Sequence, residues 1–73
     1  MPKAEISNEI RRLRFEFGEM TQAALAEQVG CSRQTIVLLE QGRYAPSLAL
    51  AFRIARVFGR TVDGVFRYEG EPQ

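Results

Sequence analysis

Apolar residues recur every three or four positions along most of the chain, the spacing that places them on one face of an α-helix. Ile10, Leu13 and Phe17 form such a stripe near the start of the chain, and equivalent stripes follow in four later segments. The last of these segments is short and contains Gly64, a poor helix former. The pattern predicts five helices joined by short turns, at residues 7–17, 22–29, 33–41, 48–58 and 62–66.

The turn between the second and third helices has the clearest local signals. Gly30 suits the left-handed backbone conformation that ends a helix, and Ser32 can cap the next helix through its hydroxyl. A connection this short holds the third helix across the second at a steep angle. Ile36 and Leu39 then face a core that both helices share, and the side of the third helix that begins at Arg33 points outward.

The fourth helix is bounded by a capping serine, Ser47, and by Gly59 just beyond its end. Its apolar positions form two stripes, so more of its circumference is apolar than a single core face requires. We therefore expect part of this helix, and the segment after it, to meet a partner. The candidate contact residues are Leu50, Ile54, Val57, Val62, Phe66 and Tyr68.

The chain has 73 residues, which allows one domain, with a core at residues 7–66 and a C-terminal tail at residues 67–73. A monomeric core of this size is marginal without disulfides, metals or an oligomeric partner, so dimerisation is a physical expectation. One cysteine and no histidine exclude an intrachain disulfide, a Cys/His zinc site and a histidine-based catalytic triad. No metal or other cofactor is predicted.

The remaining composition narrows the function classes. We expect no enzyme activity, because histidine is absent and the sequence shows no convergent carboxylates, phosphate loop or nucleophile–base pair. Neither a signal peptide nor a membrane-spanning run is expected, which together with the single cysteine favours a cytoplasmic protein. The net charge of +1 argues against a sequence-blind polycation for nucleic acid.

Four stretches of the chain carry a family resemblance: IRRLR, MTQAALAEQVGCSRQTI, LEQGRYAPSLALAFRIARVFG and TVDGVF. Together they resemble the xenobiotic-response-element (XRE) or Cro/phage-repressor class of helix-turn-helix transcription regulators over residues 10–66. The resemblance implies an all-α, compact five-helix lambda-repressor-like DNA-binding domain, with the helix-turn-helix at the second and third helices. It also implies a homodimer on an inverted-repeat operator in double-stranded DNA, with half-sites roughly one helical turn (~34 Å) apart.

The sequence departs from the family pattern at three positions. Glu19 is an extra residue in the loop before Met20, and we expect the turn to absorb it. Ala24 replaces a common acidic residue, which affects stability. Leu38 is apolar where several members of the family present a polar base-reading side chain, which affects specificity.

The exposed side of the third helix carries the candidates for base recognition. The Arg33 guanidinium can bond a guanine edge through O6 and N7, and the Gln34 amide can do the same for adenine through N6 and N7. Leu38 lies one turn beyond Gln34, with Val37 beside it, and can contact a thymine methyl group. The alternative is that one of the two aliphatic residues belongs to the core or a dimer seam and that the two polar ones are simply solvated.

Other polar residues are candidates for contacts with DNA phosphates. Thr21 and Gln22 begin the second helix, where free backbone N–H groups form an anion site, and Gln22 matches the phosphate-clamping glutamine of the family. Arg43 suits a charge-assisted bond to phosphate, whereas Tyr44 could equally pack its ring on the core and Ser32 has a sufficient role as a helix cap. The complete set is Thr21, Gln22, Ser32, Thr35, Gln41, Arg43 and Tyr44.

Three residues receive a structural interpretation. The family resemblance implies that Arg14 and Glu40 form a partly buried ion pair between the first and third helices. Such a pair orients the third helix without touching DNA. Cys31 is interpreted as a small turn residue rather than as a redox sensor.

The leading hypothesis is a homodimeric, sequence-specific DNA-binding protein that acts as a small transcriptional regulator, either a repressor or an autoregulatory controller. The alternative is a protein-interaction module of the same fold, such as an antitoxin, whose apolar fourth and fifth helices bind a separate protein partner. Replacing Arg33 by alanine separates the two, because loss of DNA binding with an intact fold supports the first.

Overall fold

The computed structural model describes residues 5–70, which form four α-helices and a short two-stranded antiparallel sheet. None of the helices in this range is long and apolar enough to cross a bilayer. In chain order the elements are strand β1 (Ile6–Asn8), helices α1 (Ile10–Glu16), α2 (Gln22–Val29), α3 (Arg33–Glu40) and α4 (Leu48–Val57), a 3₁₀ turn (Val62–Gly64) and strand β2 (Phe66–Tyr68).

Local capping explains where α2 and α3 begin and end. The Thr21 hydroxyl accepts the Ala24 N–H at 3.0 Å, and the Ser32 hydroxyl accepts the Thr35 N–H at 3.1 Å. Between them Gly30 adopts φ 75°, a left-handed conformation that costs a glycine little. The bounds of α2 are those predicted from the sequence, and α3 ends one residue earlier than predicted.

The first helix is shorter than predicted, because residues 6–8 form β1 instead of its first turn. Asn8 stops the strand: its Oδ1 accepts the N–H of Ile10 two residues ahead at 3.1 Å, a local turn that begins just before Glu9, the N-cap of α1, whose side chain makes no capping bond. After α1 the extra residue Glu19 takes φ 54° beside Gly18 at φ 75°. The turn therefore absorbs the insertion with two consecutive left-handed residues, and the Met20 N–H returns to the Arg14 carbonyl at 2.8 Å.

The predicted fifth helix is wrong. Thr61 caps only the 3₁₀ turn, by accepting the Gly64 N–H at 3.2 Å, and the chain then enters β2. Gly64 disfavours further helix, and Phe66 reaches a buried position that β2 fixes by pairing with β1. Tyr68, predicted to lie in the C-terminal tail, is in β2 opposite Ile6. Residues 71–73 of the predicted tail fall outside the described residues.

The core sits between the helices and the sheet. Its largest buried side chains come from α1, α2, α3, α4 and the segment that leads into β2, so every element contributes to one apolar cluster. Phe17 and Phe58 add an edge-to-face ring contact, with centroids 5.3 Å apart, at the ends of α1 and α4. The largest of the fully buried residues are Ile10, Leu13, Leu25, Ile36, Leu39, Ile54, Val29 and Val65.

Asn8 links the sheet to α3, which gives a first prediction. Its Nδ2 donates to the Leu39 carbonyl at 2.7 Å, in addition to the bond that it accepts from Ile10. Asn8→Ala leaves both backbone groups without that partner, and we expect the free energy of unfolding in urea to fall by about 1–3 kcal/mol. Ser7→Ala is the control, because the Ser7 hydroxyl only donates to the exposed Glu69 carboxylate. An equal loss in the two variants would contradict this role.

Candidate DNA-binding surface

Helix α3 turns one face to the core and the opposite face to solvent. Ile36 and Leu39 are buried, whereas Arg33 and Gln34 on its first turn are exposed. Leu38, the third candidate for base contact, is half-buried one turn further along. Arg33 and Gln34 are therefore accessible to a binding partner, and Leu38 is partly accessible.

An ion pair fixes the orientation of α3 against α1. Arg14 Nε donates to Glu40 Oε2 at 2.7 Å, and Arg14 Nη2 donates to Glu40 Oε1 at 3.0 Å. The two side chains are 15% and 8% exposed, and Arg14 Nη1 also donates to the Met20 carbonyl at 2.7 Å. This two-point geometry joins α1, the loop before α2 and the last residue of α3 into one rigid unit.

Gln22 extends the ion pair to the start of α2. Its Nε2 donates to Glu40 Oε1 at 3.2 Å, and the side chain is half-buried. This bond uses one of the two amide N–H groups and leaves the second N–H and the carbonyl oxygen of the side chain for other partners. The side chain predicted to clamp a phosphate is thus held in place next to the ion pair.

An open groove brings several predicted contact residues together. It encloses about 570 Å³ between α1, the start of α2 and α3, and its walls include Thr21, Gln22, Arg33 and Gln41. Arg11 of α1 also lines it, although the sequence analysis did not single out this residue as a candidate contact. The adjacent Arg11 and Arg12 carry the same charge, but only Arg12 has carboxylates, Glu9 and Glu16, at the i−3 and i+4 positions of its helix.

The other predicted phosphate contacts surround this groove without lining it. Ser32 caps α3, and its hydroxyl oxygen lies 2.9 Å from the Thr35 hydroxyl oxygen, so the two hydroxyls are hydrogen-bonded to each other. Arg43 is exposed in the loop after α3. Tyr44, next in that loop, is 44% exposed, so part of its side chain is accessible to a partner.

Several predicted dimer contacts lie inside the chain's own core, which corrects that prediction. Leu50 is 5% exposed, Ile54 0% and Phe66 7%. The sequence could not tell which of the two apolar stripes of α4 faces inward, and residues from both stripes turn out to be buried. The large apolar side chains that α4 leaves exposed are Leu48, at 70%, and Phe52, at 52%.

The remaining three candidates are more accessible. Val57 and Val62 are half-buried and pack against the core. Tyr68 is 57% exposed, and its hydroxyl donates to the Glu5 carboxylate at 3.2 Å. These three residues lie on the part of the molecule formed by the end of α4, the 3₁₀ turn and β2.

Cys31 occupies the turn between α2 and α3. Its backbone N–H donates to the Ala26 carbonyl at 3.0 Å, and the side chain is half-buried against the core. Burial raises the pKa of the thiol, with nearby Arg53 acting in the opposite direction. A raised pKa lowers the fraction of reactive thiolate, which fits a packing role better than a redox role.

Two capped helices joined by a tight turn, the second with one face in the core and its first turn in solvent, define a helix-turn-helix DNA-binding domain. Residues 18–65 match the model of the Helix-turn-helix family. The chain is 63% identical over 58 residues to a protein of Methanothermobacter thermautotrophicus, covering 78% of this chain and 83% of the relative. It is 50% identical over 62 residues to a protein of Archaeoglobus fulgidus, covering 85% and 87%. Both relatives are named uncharacterized HTH-type transcriptional regulators.

A solved structure supports the fold. A Bacteroides fragilis protein, provisionally called a DNA-binding protein, superposes with a TM-score of 0.71 at 24% identity, over 85% of this chain and 98% of that one. The chain belongs to the XRE/Cro-type helix-turn-helix family of transcription regulators, whose binding partner is double-stranded DNA. The predicted family and its DNA-binding fold class are confirmed, with the fifth helix replaced by a 3₁₀ turn and a strand.

Proposed function

We propose that the chain is a single-domain, sequence-specific regulator that binds an inverted-repeat operator as a homodimer, as a repressor or as the controller of its own gene. The observation that carries this proposal is the exposed first turn of α3 beside the groove between α1, α2 and α3. The ion pair between Arg14 and Glu40 fixes the last residue of α3 against α1, and through the helix it sets the direction of that first turn. Rigid placement matters because base recognition depends on hydrogen-bond geometry at the groove edge.

Base reading falls to the exposed side of α3. Arg33 reads a guanine through O6 and N7, and Gln34 reads an adenine through N6 and N7. Leu38 lies one turn further along and contacts a thymine methyl group with its accessible part. The apolar side chain at this position gives the protein a base preference different from that of relatives with a polar residue there.

Phosphate contacts fix the position of α3 in the major groove. Gln22 donates its second amide N–H to a phosphate oxygen while Glu40 holds the first. Thr21 and Gln41 line the same groove, and Arg43 supplies a charge-assisted bond from the loop after α3. Ser32, Thr35 and Tyr44 complete the set around the edge of the surface.

The dimensions of the chain support a homodimer. The described residues extend 37 × 25 × 21 Å, and half-sites on successive turns of the duplex are ~34 Å apart. Two copies of a domain of this size can therefore lie side by side on successive half-sites. We assign the contact between copies to Val57, Val62 and Tyr68, the accessible members of the predicted set.

Selection from a pool of random duplexes tests this function without a known operator. Duplexes retained by the protein through several rounds are sequenced, and we expect an enriched inverted repeat with half-site centres about one helical turn, or a multiple of it, apart. A single unpaired half-site would overturn the dimer, and a pool that stays as random as the input would overturn sequence-specific binding.

Exposed apolar surface supports a second function, the binding of a separate protein partner. Leu48 and Phe52 lie one turn apart on α4 and are more than half exposed, so they form a contiguous apolar patch, the kind of surface that marks interaction sites. An antitoxin would combine this activity with DNA binding. A variant that loses operator binding through Arg33→Ala and still binds such a partner would separate the two functions.

A further inference from the structure

We propose that Arg11 on α1 binds a phosphate of the operator backbone, so that the first helix contacts DNA directly rather than only supporting α3. This inference rests on the proposed function, because it adds a contact to the same DNA-binding surface. It also goes beyond the sequence analysis, which gave α1 an apolar stripe and the ion pair through Arg14 and no contact with DNA.

The three arginines of α1 have different partners. Arg12 is bound on both sides: its Nε lies 3.2 Å from Glu9 and its Nη1 lies 2.9 Å from Glu16. The hydrogen bond from Arg12 also holds the pKa of Glu9 below its ordinary value, so this carboxylate stays charged beside it. Arg14 is neutralised by Glu40. Arg11 is exposed and makes neither an ion pair nor a side-chain hydrogen bond within residues 5–70.

The surroundings of Arg11 suit an anion. It shares the walls of the groove with Thr21, Gln22 and Arg33, all of which can donate hydrogen bonds. Among the residues that line the groove the single carboxylate is that of Glu40, and the ion pair with Arg14 compensates its charge. The groove is therefore net positive through Arg11 and Arg33.

Arg11 and Arg33 have separate tasks in this arrangement. Arg33 starts α3 and reaches into the major groove for a base. Of the two uncompensated cations that line the groove, Arg11 is then the one available for a phosphate, in addition to the phosphate that Arg43 binds from the loop after α3. A guanidinium forms two parallel bonds to a phosphate. Because Arg14 ties α1 to α3, a phosphate bound by Arg11 also fixes the position of α3 along the DNA.

Arg11→Ala and Arg12→Ala form a matched pair for the test. Both variants remove one positive charge from neighbouring positions on α1, so the general electrostatic effect is the same and only the specific contact differs. The affinity of each variant and of the wild-type protein for the selected operator and for an unrelated duplex is measured by fluorescence anisotropy over a range of KCl concentrations. Circular dichroism melting reports whether each variant is folded.

We expect Arg11→Ala to reduce the slope of log K against log [salt] by about 0.9 per protomer, as the loss of one phosphate contact requires. At about 0.15 M salt this corresponds to roughly fivefold weaker binding per protomer, on the operator and on the unrelated duplex alike. Arg12→Ala should keep the wild-type slope. Arg11→Lys should restore most of the slope, because an ammonium group also binds phosphate.

Equal slopes for folded Arg11→Ala and Arg12→Ala would overturn the proposal and make Arg11 a solvated surface residue. Failure of the proposed function itself gives a different result, since the wild-type protein would then show no preference for the operator over the unrelated duplex. The wild-type titration therefore separates the two failures.

Discussion

Replacing Arg33 by alanine should abolish selective DNA binding while leaving the fold intact. A bidentate contact between arginine and guanine discriminates by about 1–3 kcal/mol, and a dimer that reads two half-sites loses it twice, so we expect operator binding to weaken by about 2–6 kcal/mol. The loss should be much smaller on an unrelated duplex, because Arg33 would there contact no matching base. Anisotropy titrations with the two duplexes measure both quantities.

The fold should survive this change because Arg33 is exposed and forms no ion pair within the part of the chain that the structure describes. Arg56→Ala is a suitable control: Arg56 is exposed near the end of α4 and does not line the groove. It removes the same charge from another face of the molecule. A folded Arg33→Ala variant that still prefers the operator as strongly as Arg56→Ala does would remove Arg33 from the base-reading set.

Replacing Glu40 by alanine should have the largest effect on stability. The substitution leaves the guanidinium of Arg14, only 15% exposed, with the Met20 carbonyl as its remaining partner and deprives Gln22 of its acceptor. Breaking a buried ion pair from one side costs about 3–5 kcal/mol, against about 5–15 kcal/mol for the total stability of a typical domain. We therefore expect a large fall in the urea midpoint and in the melting temperature.

The double variant Arg14→Met/Glu40→Leu tests the cause of that loss. It removes both charges and fills a similar volume with apolar groups, and such replacements are often neutral or stabilising. We expect it to be considerably more stable than Glu40→Ala, yet weaker in DNA binding, because α3 and Gln22 lose their charged anchor. A Glu40→Ala variant within about 0.5 kcal/mol of the wild-type free energy of unfolding would contradict the role assigned to the pair.

The parts of the fold that the sequence predicted are those fixed by neighbouring residues. Thr21 and Ser32 each cap the helix that follows by accepting the backbone N–H three residues ahead, and Gly30 ends α2 in a left-handed conformation. The sheet could not be predicted in this way, because β1 and β2 pair residues about 60 positions apart, such as Ile6 with Tyr68. Neither strand is long enough to show a clear alternation of its own.

The candidate site also has features that the sequence predicted and features that only the folded structure shows. The outward direction of Arg33 followed from helical periodicity, and the pair of Arg14 with Glu40 was expected from the family resemblance. The inward face of α4 was not predictable, since apolar residues occupy most of its circumference and only packing selects Leu50 and Ile54 for the core. The neighbouring arginines of α1 could have been told apart from the sequence, because Glu9 and Glu16 stand three and four positions from Arg12 and no carboxylate stands so from Arg11.

The central claim is that this chain recognises a particular sequence of double-stranded DNA. Its most direct test is a fluorescence-anisotropy titration of the wild-type protein with the selected duplex and with a scrambled duplex of the same composition, each in excess unrelated competitor and at several salt concentrations. We expect saturable binding to the selected duplex that survives the competitor and is at least about 10³-fold tighter than binding to the scrambled one. Equal affinities for the two duplexes, with the same dependence on salt, would contradict the account.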